Sequence, residues 1–128
     1  MAPFLLVAVG AVLGANARYW VSNRAANRFG VDFPYGTLIV NVSGSFAIGF
    51  VLATLTSQAG IDPEARLLVA TGFLGGYTTF SAFSLDAGTL WERGRPGFAA
   101  LYVVGSVALS IGGLFAGLAV ARTLLVRA

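Results

Sequence analysis

The sequence contains no cysteine, no histidine and no lysine. Without cysteine, the chain has neither a disulfide framework nor a thiolate metal site. Without histidine and lysine, it has no imidazole to act as a base or metal ligand and no amine to form a Schiff base. We therefore expect that the protein is not an enzyme.

Charged residues are also scarce, at 10% of the 128 residues, and the formal net charge of +3 is the balance of eight arginines and five carboxylates. Such a small excess does not predict a nucleic-acid partner. Hydrophobic residues make up 57% of the chain, and the mean hydropathy is +0.83. Soluble domains of this size are far less apolar, so the composition predicts a membrane protein.

Uncharged stretches divide the chain into four apolar segments, at residues 1–17, 33–61, 67–85 and 96–121. A helix needs about 20 apolar residues to cross the bilayer core, and every stretch approaches or exceeds that length. We therefore predict an all-α, multi-pass protein of the cell (inner) membrane. The loops are too short for a soluble module, so residues 1–128 form one transmembrane domain with helices at about 3–28, 34–56, 65–92 and 97–124.

The arginines divide almost evenly between the two sides of such a protein. Those on the side of the termini are Arg66, Arg122 and Arg127, and those on the other side are Arg24, Arg28, Arg93 and Arg95. Because an imbalance of basic residues normally fixes orientation, two interpretations remain open. Either one loop sets a single orientation, or the chain inserts both ways and two antiparallel copies pair, as inverted repeats do in transporters.

Small residues recur four apart in each of the four segments. The motifs are Gly10-xxx-Gly14, Ser45-xxx-Gly49, Gly72-xxx-Gly76 and Gly113-xxx-Gly117. This spacing lets helices approach closely in lipid, and a chain of this length leaves little room for an internal pathway. Both observations favour an oligomer as the working unit.

Uncharged polar residues form two stripes inside the apolar segments. The members, each spaced four apart, are Thr37, Asn41 and Ser45 in the second segment and Tyr102, Ser106 and Ser110 in the fourth. A single hydroxyl in a membrane helix often bonds the carbonyl four residues earlier and is then structurally neutral. An asparagine amide needs partners elsewhere, so two aligned stripes with Asn41 predict a polar pathway. Its lack of charge argues against a site for a multivalent ion, and its hydroxyl and amide donors can replace the water around a small anion.

The third segment combines weak helix formers with aromatic rings, in GFLGGYTTFSAFSLD (Gly72–Asp86). Gly75-Gly76 followed by Thr78-Thr79 can open the helix and free carbonyl groups, or can simply kink it for packing. Phe80 and Phe83 lie three apart on one side of the segment. Their ring edges carry the positive part of the quadrupole and can face an anion, although such a pair can equally serve packing.

Three motifs make the sequence resemble a known family, the Fluc/CrcB fluoride channels. They are GANARY (Gly14–Tyr19), PYGTLIVNVSGSF (Pro34–Phe46) and TGFLGGYTTFSAFSLD (Thr71–Asp86). The resemblance covers the whole chain, and the third motif is the most specific. Departures are small: Ala82 stands where the family often has threonine, and Asp86 where glutamate is common.

The resemblance implies a passive, fluoride-selective channel that exports cytoplasmic fluoride and so reduces its toxicity. It implies a dual-topology homodimer with two antiparallel pores and a break in helix 3. The residues matching the family's pore are Asn41, Phe80, Phe83, Ser106 and Ser110, with Thr37, Thr79 and Tyr102 extending the polar track.

The resemblance also implies a structural sodium ion at the dimer centre. Its ligands correspond to the backbone carbonyls of Gly75 and Thr78 from each subunit. Arg18 matches an arginine near a pore entrance, although an arginine at a helix end can also snorkel to the interface.

Two other functions remain as alternatives. A small proton-coupled multidrug exporter needs a carboxylate embedded in the membrane. Asp86 is the candidate, but it lies ten residues beyond Gly76, about 15 Å along a helix. A non-transporting assembly subunit is the other alternative, and nothing in the composition excludes it.

Overall fold

The computed structural model describes residues 2–57 and 62–126, and all regular structure in these ranges is helical. This confirms the prediction of an all-α protein. The elements are α1 (Ala2–Phe29), α2 (Tyr35–Ser57), α3 (Pro63–Arg66), a π-helix (Leu67–Leu74), α4 (Gly75–Tyr77), α5 (Phe80–Glu92) and α6 (Pro96–Val126). Residues 63–92 are called the third segment below. Arg127, which entered the charge balance, lies outside the described residues.

Within the described residues, three helices are long and apolar enough to cross a membrane, namely α1, α2 and α6. The remaining crossing predicted from the sequence corresponds to the third segment, which is a series of shorter helices. Large apolar side chains are exposed on the outer faces, for example Phe4 at 83% and Phe115 at 63%. Such surfaces suit contact with lipid, and the protein is a multi-pass protein of the cell membrane.

The third segment changes its backbone geometry several times along its length. Asp62 caps its start, since its Oδ1 accepts a hydrogen bond from the Glu64 N–H at 3.0 Å. After α4 the chain becomes extended at Thr78 (φ −76°, ψ 157°) and Thr79 (φ −152°, ψ 121°). The next helix, α5, then starts with the Thr79 hydroxyl accepting from the Ala82 N–H at 3.1 Å. Two extended residues therefore separate two helices inside the apolar part of the chain.

Glycines bring α1 into backbone contact with the third segment. A Cβ on Gly10 would lie 2.9 Å from the Cα of Gly72, and one on Gly14 would overlap the Phe73 carbonyl oxygen. A Cβ on Gly76 would lie 2.8 Å from the Cα of Ala11. The two elements run parallel, because residues later in α1 contact residues later in the third segment. No side chain larger than hydrogen fits between the backbones at these points.

A second glycine contact joins α2 to α6, and these two helices also run parallel. A Cβ on Gly49 would overlap the Leu114 carbonyl oxygen, and one on Gly117 would overlap that of Phe46. A Cβ on Gly113 would lie 3.1 Å from the carbonyl oxygen of Val42.

The small-residue motifs therefore serve packing within one chain. The spacing predicts association between helices, and in the described residues the helices brought together belong to one chain. Their glycines face backbone atoms of the same chain so closely that an added Cβ would lie within about 3 Å of them. Whether the chain forms an oligomer must be judged from other features.

Candidate functional site

An open groove of about 560 Å³ lies between α2, the third segment and α6. It contains six of the eight predicted pore residues and both residues predicted to hold sodium through their carbonyls. The lining residues are Asn41, Gly44, Ser45, Ile48, Ala70, Leu74, Gly75, Thr78, Thr79, Phe80, Phe83, Ser106, Val107, Ser110 and Ile111. None of them is ionisable, so the groove offers hydroxyl, amide, carbonyl and aromatic groups but no formal charge.

Both the nitrogen and the oxygen of the Asn41 side-chain amide are hydrogen-bonded to the extended part of the third segment. Its Nδ2 donates to the carbonyl oxygen of Thr79 at 2.9 Å, and its Oδ1 accepts from the Thr79 N–H at 2.8 Å. The side chain thus supplies both partners that the backbone of Thr79 loses by leaving the helix. One N–H of the amide is not used in this pair. Asn41 therefore positions the extended residues and keeps one donor for another partner.

The same bonds release two backbone carbonyls from the helical pattern. In an α-helix the Gly75 carbonyl accepts from the N–H of Thr79, and the Thr78 carbonyl from that of Ala82. The Thr79 N–H is directed to Asn41, and the Ala82 N–H to the Thr79 hydroxyl, at 2.8 and 3.1 Å. The carbonyl oxygens of Gly75 and Thr78 are thereby available for other ligands. These are the two carbonyl groups that the resemblance implies as sodium ligands.

The two phenylalanines of the groove differ strongly in exposure. Phe83 is 9% exposed and packs in a cluster with Tyr102, whereas Phe80 is 78% exposed. Their ring centroids are 5.3 Å apart with the planes tilted by 45°, and the same distance separates Phe83 from Tyr102. Three rings thus follow one another from the open groove toward the interior. Tyr102, 1% exposed, donates its hydroxyl to Asp86 Oδ2 at 3.2 Å.

Five of the membrane hydroxyls are bonded to the carbonyl four residues earlier, as expected for residues without a special role. Ser43 donates to Ile39 at 2.6 Å, Thr78 to Leu74 at 2.9 Å, and the list continues with Thr54 to Phe50, Ser84 to Phe80 and Thr89 to Leu85. Ser106 differs from all of these. Its Oγ is buried, lines the groove and has no hydrogen-bond partner in the described part of the chain.

Three predicted site residues lie outside the groove lining. Thr37 is half-buried one turn before Asn41, Tyr102 lies behind Phe83, and Arg18 is half-buried on α1. The structure adds contacts that sequence reasoning missed. Ser43 and Tyr77 share a hydrogen bond of 3.0 Å between α2 and the third segment. The polar face of α2 gave no sign of it, because Ser43 lies off the stripe formed by Thr37, Asn41 and Ser45.

Among the described residues, no group of three or more acidic, histidine or cysteine side chains is arranged to hold a metal ion. A cation in this part of the molecule would need neutral oxygen ligands. Hard cations such as sodium accept backbone carbonyls readily. The released oxygens of Gly75 and Thr78 fit this requirement, but one chain supplies only two of them.

Comparison with known proteins gives matches over nearly the whole chain. The model of the family described as "CrcB-like protein, Camphor Resistance (CrcB)" matches residues 5–118. A relative from Rhodopseudomonas palustris, named fluoride-specific ion channel FluC, is 51% identical over 121 residues, covering 94% of this chain and 98% of the relative. Relatives of the same name from Roseiflexus sp. and Granulibacter bethesdensis are 54% and 48% identical, covering 94% and 98% of this chain and 97% and 98% of their own lengths.

Proposed function

The chain belongs to the CrcB-like family, and on this premise we propose that it is a fluoride-selective, passive ion channel. It exports fluoride from the cytoplasm and so lowers the ion's toxicity. The relatives are named as fluoride-specific channels, and the uncharged polar groove is chemically suited to the same ion. A membrane potential that is negative inside drives an anion outward by about 2.3 kcal/mol per 100 mV, so no coupled energy source is needed.

The observation that carries this proposal is the hydroxyl of Ser106. A buried polar group without a partner costs roughly 1–3 kcal/mol. Such a group is expected where a ligand completes its bonding, and Ser106 lies in the groove with Asn41, Ser110 and Phe83. Fluoride must lose a tightly held hydration shell to enter the membrane, and hydroxyl and amide donors replace water directly. The positive ring edges of Phe80 and Phe83 add weak, size-selective attraction along the same path.

The working unit proposed is an antiparallel homodimer with two pores. In a single chain the groove is open along one side, and Phe80 is 78% exposed despite its place among the groove residues. An anion path through the membrane must exclude lipid. A second copy in the opposite orientation would cover the open side, and the even distribution of arginines at the two ends permits both orientations.

Sodium is proposed as a structural ion between the two copies. The carbonyls of Gly75 and Thr78 would hold it, two from each chain, because their helical partners are bonded elsewhere. The ion would supply fixed positive charge and join the extended residues of the two copies.

Efflux from liposomes tests the function directly. Purified protein is reconstituted with internal fluoride or chloride, and efflux is started by a potassium ionophore and followed with an ion-selective electrode. We expect rapid fluoride efflux and far slower chloride efflux, and equal rates would contradict the selectivity. The measurement is repeated without sodium, where we expect a smaller dimer fraction and slower flux.

The ring-edge role is tested by Phe80→Ile and Phe83→Ile. Both variants should slow fluoride efflux at least tenfold while the protein elutes as a dimer, because isoleucine keeps the bulk but has no quadrupole. Phe4→Ile is the matched control, since Phe4 is 83% exposed and does not line the groove. Normal efflux in both groove variants would show that the rings serve packing alone.

A further inference from the structure

A second pocket of about 560 Å³ lies near the carboxyl end of α1, apart from the groove. It presents Trp20, Arg24 and Arg28, which are spaced four apart and therefore share one face of the helix. The Arg24 guanidinium carbon lies 5.2 Å from the centroid of the Trp20 ring, so this side chain is held against the indole. The proposed function assigns no role to these residues.

The position of the pocket along the helix corresponds to the membrane surface. α1 contains 28 residues and is about 42 Å long, whereas the hydrocarbon core is about 30 Å thick. Because residues 1–17 are uncharged and the arginines at 18, 24 and 28 follow, the excess length falls on the last turns, which lie among the lipid headgroups. Trp20 is a residue type that concentrates at this level, and it is 60% exposed.

The walls of the pocket combine two kinds of surface. Val21, Ala25 and Ile39 form an apolar side that includes both α1 and α2. The two arginines and Asn27 form a polar side that carries two positive charges, and no carboxylate is among the lining residues. The ligand that matches this division has an anionic head and an apolar body.

Charge at the pocket favours the same ligand. Arg24 and Arg28 lie four apart on one helix, where two like charges repel and destabilise it slightly. A phosphate bound between them would remove this repulsion, and arginine forms paired hydrogen bonds with phosphate oxygens. Headgroup phosphates of acidic lipids lie at this depth in the bilayer.

We propose that the pocket formed by Trp20, Arg24, Asn27, Arg28 and Ile39 binds the phosphate of an acidic phospholipid, with an acyl chain against its apolar side. In this role the arginines anchor the end of α1 at the membrane surface. The alternative is that Arg28 only offsets the helix dipole and Arg24 only snorkels to water. These two explanations predict different lipid preferences.

Native mass spectrometry of the purified full-length protein distinguishes them. The protein in detergent is titrated with phosphatidylglycerol or with phosphatidylcholine of the same acyl chains, and bound lipids are counted. We expect phosphatidylglycerol to bind about tenfold more tightly, because its headgroup carries a net negative charge. Equal binding of the two lipids would overturn the proposal, and this comparison needs no variant.

Two double variants with the same change in charge locate the site. Arg24→Gln with Arg28→Gln should abolish the preference, whereas Arg66→Gln with Arg122→Gln, both exposed and outside the pocket, should keep it. Arg24→Lys with Arg28→Lys should retain most of it, since the charge remains. An equal loss in the control pair would contradict the proposal.

Inorganic phosphate at millimolar concentration separates a lipid site from a general anion site. We expect it to leave phosphatidylglycerol bound, because it cannot use the apolar side of the pocket. Displacement of the lipid by phosphate alone would overturn the assignment to lipid. None of these measurements depends on fluoride flux, so the proposal can fail or succeed independently of the channel function.

Discussion

Asn41 has a structural task in addition to its predicted place in the pore. In Asn41→Ala the N–H and C=O of Thr79 both lose their partners. We expect the free energy of unfolding to fall by roughly 2–3 kcal/mol, because each unpaired group costs about 1–3 kcal/mol and water reaches part of the groove. Reversible unfolding in detergent measures the change.

Asn16→Ala is the matched control for this prediction. Asn16 is exposed, and within residues 2–57 and 62–126 its side chain donates only to the Val12 carbonyl four residues earlier, at 2.8 Å. Its removal should change stability by no more than about 0.5 kcal/mol. Equal effects of the two substitutions would contradict the role assigned to Asn41.

Ser106 allows structure and function to be separated, because its hydroxyl has no partner within the described residues. Ser106→Ala removes a buried group whose bonding is incomplete. We expect unchanged or slightly higher stability together with fluoride efflux at least fivefold slower. Ser84→Ala is the control, since Ser84 is exposed and bonded to Phe80, and it should leave efflux unchanged. A loss of stability in Ser106→Ala without an effect on efflux would assign the hydroxyl to packing.

The sequence predicted which residue types matter in the groove, but not how they are bonded. Thr37 and Asn41 are four residues apart, so helix geometry alone places them on one face, and this can be read from the sequence. The bond between Asn41 and Thr79 spans 38 positions and depends on how closely α2 approaches the extended residues. No local pattern encodes that distance, so the placing of the site residues in the pore remains a prediction.

The contact between α1 and the third segment depends on the absence of a side chain at Gly14. In Gly14→Ala the new Cβ would overlap the Phe73 carbonyl oxygen and lie 2.8 Å from the Tyr77 nitrogen. Since both are backbone atoms, the helices must separate, and we expect a loss of roughly 1–3 kcal/mol in stability. Thermal unfolding in detergent provides the measurement.

Gly97→Ala is the control at the start of α6, where a Cβ would meet nothing within 4 Å. Alanine is the better helix former, so this variant should be neutral or more stable by up to about 1 kcal/mol. If Gly14→Ala were as well tolerated as Gly97→Ala, the close approach of the two backbones would be wrong.

The third segment shows that composition predicts where a helix is interrupted more easily than it predicts which residues become extended. The sequence predicted an opening somewhere in Gly75-Gly76 and Thr78-Thr79, and the structure has both glycines inside α4. Gly76 is used instead for contact with Ala11. The extended backbone falls on Thr78 and Thr79, where Asn41 pairs with the N–H and C=O of Thr79 and the Thr78 N–H bonds the Leu74 carbonyl. Tertiary contacts therefore decide which weak helix formers leave the helix.

The proposed antiparallel dimer requires that the chain insert in both orientations, which the nearly even distribution of arginines permits. Since the chain has no cysteine, Glu64→Cys and Glu92→Cys each introduce a single thiol, and each removes one carboxylate. Both sites are exposed, and they lie at opposite ends of the third segment. In intact cells an impermeant thiol reagent should label about half of each variant.

Labelling of one variant alone would show a single orientation and would contradict the antiparallel dimer. Labelling after lysis serves as the control, because both thiols should then react completely. The channel proposal would survive such a result in a modified form, since the polar groove lies within one chain.

The all-helical membrane fold and the family could be predicted from the sequence because they depend on properties summed over many residues. The length and hydropathy of the uncharged stretches suffice to predict the membrane fold. The motif at Thr71–Asp86 suffices to predict the family. Assembly is harder to predict, as the glycine motifs show. Their spacing indicated close helix contact correctly, but it carried no information on whether the partner helix belonged to the same chain.

The uncharged lining of the groove also has a consequence for acidity. Serine, threonine, asparagine and phenylalanine side chains do not titrate between pH 5 and pH 9, and no ionisable residue lines the groove. The groove lining should therefore present the same electrostatic profile in a neutral and in an acidified medium. Changes in fluoride transport with acidity would then report either the supply of the dissociated ion or Asp86, the carboxylate that accepts the Tyr102 hydroxyl beside the groove.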